Sequence, residues 1–91
     1  MNKTCQILVF AQRDHAEAMR VSAGLTIFGH GVDLIFVDRI VEESEENLAQ
    51  AELLELTEIE PLSLIDDPSL DRIQYSQLNE YLKKADHVIN L

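Results

Sequence analysis

The side chains able to carry chemistry in this sequence are few: Asp14, His15, Ser63, Asp66 and Asp67, with Cys5 as its single thiol. Carboxylates placed just after the first and third strands of a parallel sheet would meet at one edge, as in a metal-dependent phosphoryl-transfer site. Helix and turn capping accounts for Asp14 and Asp67 without any metal, because a carboxylate there can accept backbone N–H groups. His15 falls where open α/β sheets place their ligands, beyond the carboxyl ends of the strands. We expect an exposed first-turn residue there. Cys5 sits at the entrance of the first strand, at the opposite edge. A free cysteine in such a place behaves as a small hydrophobe, and Lys3 is the only cation close to it in sequence that could lower its pKa.

Other chemistries find less support. The three histidines, His15, His30 and His87, do not pair at metal-ligand spacing, and four ligands for a structural zinc are not available. We expect no metal and no cofactor. The turn Ala11-Gln12-Arg13-Asp14 lacks the glycines that let a backbone approach a pyrophosphate. The one G-x-G, Gly29-His30-Gly31, lies between a helix and a strand, at the wrong edge for phosphate. No Ser–His–Asp order with supporting glycines exists, so a hydrolase has no basis.

These residues must be held by elements that the pattern makes readable. Ile7 to Phe10 is a continuous apolar run, suited to a strand buried on both faces. Asp14 and Glu17 have capping-box spacing, opening a helix over 15–28. Met19, Ala23 and Ile27 should face inward, flanked by Ala18, Leu25 and Phe28, with Gly29 as the left-handed cap. Residues 32–37 are β-branched and aromatic, a second strand completing a right-handed βαβ unit. Ser44 caps a second helix with Leu48, Ala51, Leu53 and Leu54 inward. Residues 61–65 form a third strand and 72–75 a brief fourth. Ser76 caps a last helix with Leu78 and Leu82 inward, and 87–91 is the final strand. The fold class expected is α/β: a single domain over 1–91, with a mostly parallel sheet of four or five strands and helices on both faces.

Charge narrows the partners. Lys and Arg number 7 against 17 Asp and Glu, a net charge of −10. From Ile40 to Asp71 there is no Lys or Arg and there are eleven carboxylates. Such a surface repels phosphate backbones and anionic headgroups. We expect no nucleic-acid and no membrane partner. The acidic stretch is either a solvated helix face or a docking surface for a basic protein partner. A lone cysteine forms no disulfide framework, and no leader or apolar run of about 20 residues is readable, so a cytoplasmic address is expected. At 91 residues the core is thin, because a chain this small buries only about 60% of its unfolded surface. Self-association would bury more.

Two segments carry a resemblance. The run A-E-A-M-R-V-S-A-G-L-T-I-F-G-H-G-V-D, after an apolar first strand and before Asp38-Arg39-Ile40-Val41, is similar to the first βαβ unit of DsrE-like proteins. The ending I-Q-Y-S-Q-L-N-E-Y-L-K-K-A-D-H-V-I-N-L looks like that family's short strand, Ser-capped helix and A-D-x-V-I last strand. The resemblance implies a homo-oligomer and a place in intracellular sulfur relay, where active members pass a persulfide on a cysteine shortly after a central strand. Here that region reads P-L-S-L-I-D-D-P, without cysteine, and Cys5 does not match the position. The leading expectation is therefore a non-catalytic DsrE-like subunit, an accessory or docking protein. The alternatives are a sulfurtransferase or persulfide carrier using Cys5, and a small acidic receiver-like signalling module using Asp14 with Asp66 or Asp67. A receiver also wants a lysine after a late strand, and none follows the last strand here.

Overall fold

The computed structural model describes residues 4–68 and 70–91. Its order of elements is β1 (Gln6–Ala11), α1 (His15–Ile27), β2 (Gly31–Phe36), α2 (Glu45–Glu55), β3 (Leu62–Ser63), β4 (Asp71–Arg72), α3 (Tyr75–Lys84) and β5 (His87–Asn90). The five strands form one sheet in the order β4-β3-β2-β1-β5, and every pairing is parallel. The α/β class, the strand number and the helices on both faces agree with the sequence reading.

Central position explains the composition of β1. It pairs with β2 from Gln6↔Gly31 to Ala11↔Phe36, and with β5 from Ile7↔His87 to Phe10↔Asn90. A strand flanked on both sides in a doubly covered sheet has no solvent face, so consecutive residues must all be apolar. Ile7, Leu8, Val9 and Ala11 are buried accordingly. Alternate residues feed two cores. Ile7, Val9 and Ala11 join Leu34 and Phe36 of β2 beneath Ala18, Met19 and Ala23 of α1 and Leu54 of α2. On the reverse face Leu8 and Ile35 meet Leu64 and Ile73, with Leu78 and Tyr81 of α3 and Ala85 just after it packed over them.

The helix caps follow local chemistry. The Asp14 carboxylate accepts the Glu17 N–H at 3.0 Å, as its spacing predicts, but the Glu17 carboxylate turns to Arg20 and does not close a reciprocal box. Gly29 takes φ +92°, a left-handed conformation that strains residues with a Cβ. Ser44 Oγ accepts the Asn47 N–H at 3.1 Å. At α3 the cap is Gln74 rather than Ser76: the Gln74 N–H donates to the Gln77 side chain at 2.8 Å, starting the helix one residue before the expected serine.

Several side chains expected to face inward do not. Ile27 and Phe28 are 70% and 81% exposed where α1 ends, just before the turn into β2. Leu48 is 53% exposed and Leu54 is the one buried residue of α2. Leu82 is exposed on α3. The second helix thus packs chiefly against α1 and reaches the core through Leu54. An apolar cavity of about 350 Å³ lies beneath it, lined by Met19, Phe36, Val41, Ala51, Leu54 and Leu70 among others.

Truncating Leu34 to Ala should lower stability by about 2–5 kcal/mol, since the deleted atoms leave a void in a fully covered strand. Glu52→Gln, at an exposed site of α2, should change it by no more than about 0.5 kcal/mol. Urea unfolding of the two variants measures both, and equal losses would contradict the placement of the core.

Candidate functional site

All strands run the same way, so the segments after β1, β2 and β3 gather at one carboxyl edge. Arg39, in the β2–α2 loop, ties this edge together. Its Nη1 donates to the Gln12 carbonyl and its Nη2 to the Arg13 carbonyl, each at 2.7 Å. The same β1–α1 turn is held from the other side, because the backbone N–H groups of Arg13 and Asp14 both donate to the Leu91 carbonyl, at 3.0 and 2.9 Å. In an open sheet the amides of this turn are the ones that would greet an anion. Here the chain itself supplies their acceptor.

Beside this turn is a cleft of about 370 Å³ lined by Arg13, Asp14, His15, Arg39, Glu42, Ser44, Glu46 and Asn47. The N-terminal ends of α1 and α2 both open onto it. His15 is 4% exposed, against the expectation of an exposed residue. Its ring meets Phe36 edge to face, with centroids 4.8 Å apart. The reason is positional: the first residue of α1 lies over the end of β2, where Phe36 closes the core. Among the described residues Nε2 has no hydrogen-bond partner. Burial lowers the His15 pKa below its usual 6.5 and Arg39 lowers it further, opposed by Asp38, Glu42 and Asp14. The imidazole at neutral pH is therefore uncharged.

The other candidates are dispersed. Ser63 is fully buried in β3, and its Oγ accepts the Ile65 N–H at 3.2 Å. Asp66 points outward to Arg72 at 2.9 Å. Asp67 is buried at 7% exposure, and its Oδ2 accepts the Val41 N–H at 3.1 Å, so its carboxylate anchors the β2–α2 loop. Asp14 and His15 share the cleft; Ser63, Asp66 and Asp67 do not join them. Among the described residues, no group of three or more His, Cys, Asp and Glu side chains could hold a metal ion.

Cys5 lies at the amino edge, as expected, half-buried against the core beneath α1. Its N–H donates to His30 Nδ1 at 3.1 Å and its carbonyl accepts the Gly31 N–H at 2.9 Å. Lys3, the cation nearest in sequence, lies outside the described residues. Sequence reasoning missed Arg39, whose signal is a long cation three residues past a buried strand. It missed Ser44 and Asn47 as cleft residues, because Ser44 reads as a plain helix cap and nothing in the pattern singles out Asn47.

No protein-family model matches the sequence, and no curated protein matches it. Among the described residues, no helix is long and apolar enough to cross a membrane.

The lowered His15 pKa fixes the sign of one pH effect. The unfolded chain binds the proton more readily than the folded one. Stability from the neutral imidazole is therefore full above about pH 6.5 and is lost as pH falls toward the folded value. His15→Leu removes that dependence, while His30 and His87 stay common to both chains. Urea midpoints at a series of pH values should show the variant gaining on the parent below about pH 6.5. Parallel curves would mean that His15 titrates normally.

Proposed function

We propose that this protein is a non-catalytic subunit of DsrE-like type that associates with further copies of itself and serves as a docking protein in intracellular sulfur relay. One observation carries the reading. The segment after β3, where the resemblance would put a sulfur-carrying cysteine, holds Leu64, Ile65, Asp66 and Asp67. Two of these are committed to structure, Leu64 in the core and Asp67 on the Val41 amide. The one thiol stands at the opposite edge, packed against the core and bracketed by the backbone hydrogen bonds of its own residue.

Self-association draws its support from the amino edge. Ile27, Phe28 and Leu56, 70%, 81% and 82% exposed, follow or adjoin Thr26 and Thr57, which line a common cleft there. Three large apolar side chains facing water at the ends of two neighbouring helices form the kind of surface that monomers rarely leave uncovered. The acidic surface is consistent with a basic protein partner and with the absence of any role at nucleic acid or membrane.

Two measurements test this reading. Intact mass of the native protein after exposure to a persulfide donor should show no added sulfur. One added sulfur, abolished by Cys5→Ser, would replace the non-catalytic subunit with a carrier. Sedimentation velocity should show an oligomer that Phe28→Glu dissociates. A monomer at all concentrations would remove self-association.

A further inference from the structure

Around the first half of α2 the molecule has a second apolar surface, unconnected with the thiol or the amino edge. Ile40 and Leu48 are each 53% exposed. Together with Val41, Ala51 and Pro68 they line an open groove of about 500 Å³ between the β2–α2 loop, the start of α2 and the segment after β3. Val41 and Ala51 also line the apolar cavity beneath α2, so the floor of the groove adjoins a space able to take a buried side chain. The rim is acidic. Glu42 and Glu43 line it and are exposed, and Glu45 and Glu46 follow on the first turn of α2.

Charge decides what this groove can accept. The segment from residue 40 to 71 holds eleven carboxylates and no cation, while the rest of the chain carries six acids and seven bases, a balance of +1. Among those bases, Arg20 pairs with Glu17, Arg72 with Asp66 and Lys84 with Asp33, and Arg39 is spent on the carbonyls of Gln12 and Arg13. A second copy would bring another −10 and few uncommitted cations to this rim. An exposed apolar floor with a single-sign rim instead selects an opposite-sign amphipathic partner, whose charges steer the encounter and whose apolar side chains hold it.

We propose that this groove is a docking site for a basic amphipathic helical segment of another protein, with one large aliphatic side chain seated between Ile40 and Leu48 and its Lys or Arg residues over Glu42 and Glu43. The inference deepens the docking role proposed above by naming the surface and the partner's chemistry. It does not depend on the oligomer formed at the amino edge.

The test uses the full chain and a fluorescein-labelled synthetic helix with leucines on one face and lysines on the other. A second peptide has the same composition in scrambled order. Fluorescence anisotropy should give saturable one-to-one binding of the amphipathic peptide, weaker for the scrambled one, and weaker again as salt rises from about 0.05 M to about 0.5 M. Leu48→Glu removes the anchor and sets a charge in the groove, and should weaken binding by about tenfold or more. Glu42→Gln with Glu43→Gln should cost about threefold or more. Leu82→Glu, the same change of charge on α3, should leave affinity unchanged. The exposure of Leu48 keeps the fold intact, and urea unfolding of each variant confirms it. Absence of binding, or binding that Leu48→Glu does not weaken, overturns the proposal. An oligomer that Leu48→Glu disperses also overturns it, by assigning the groove to a second copy. Sedimentation of the peptide-free protein with Phe28→Glu reports on the amino edge alone, so the two proposals can fail separately.

Discussion

Everything in this structure depends on keeping β1 dry on both faces and paired on both edges. A parallel strand has no half-solvated option: its side chains alternate between two covered faces, and its amides need neighbours on either side. With 91 residues, the chain meets this demand by placing β1 between β2 and β5 and spending three helices on cover. Two helices lie on one face and one on the other. The asymmetry shows in the side chains. Leu34, Phe36, Met19 and Ala23 are buried within one tight cluster, whereas α3 has no buried residue and screens Leu8 and Ile35 with partly exposed Leu78 and Tyr81, joined by Ala85 just after it.

The economy also shapes the carboxyl edge. In larger sheets of this kind, the turn after the first strand keeps its amides for a ligand. Here the Arg39 guanidinium and the Leu91 carbonyl hold the turn closed from both sides. His15 does not stand in water, because the start of α1 lays its ring on Phe36 at the end of β2. A neutral imidazole with one nitrogen lacking a partner among the described residues is a packing element with a polar cost, and its cleft mixes two arginines with three carboxylates. That arrangement stabilises loops; it does not concentrate charge of one sign on a reacting atom.

How much of this was legible follows from which forces act locally. The run Ile7 to Phe10, the Asp14 and Ser44 caps and Gly29 were readable, because each is decided by a few neighbouring residues. The inward faces of α1 and α2 were readable only in part. Ala18, Met19 and Ala23 are buried, but Ile27, Phe28 and Leu48 continue the apolar spacing at the helix ends and stay exposed. Periodicity tells which residues share a helix face; it does not tell where the opposing layer stops. His15 was misplaced for the converse reason, since its burial comes from Phe36, twenty-one positions away. The dispersal of Ser63, Asp66 and Asp67 was likewise hidden, because it depends on Val41 and Arg72 as partners rather than on spacing along the chain.

The hydrogen bonds that the amides of Arg13 and Asp14 donate to the Leu91 carbonyl have a temporal side. During synthesis, β1 leaves the ribosome early and can pair with β2 as soon as α1 has formed, but its second edge waits until residues 87–90 arrive. Throughout that interval Ile7-Leu8-Val9-Phe10 is an apolar strand with one open row of N–H and C=O groups, the most association-prone form a strand can take. The last strand is therefore also a seal, and any truncation that removes it should convert a folding intermediate into a template for aggregation.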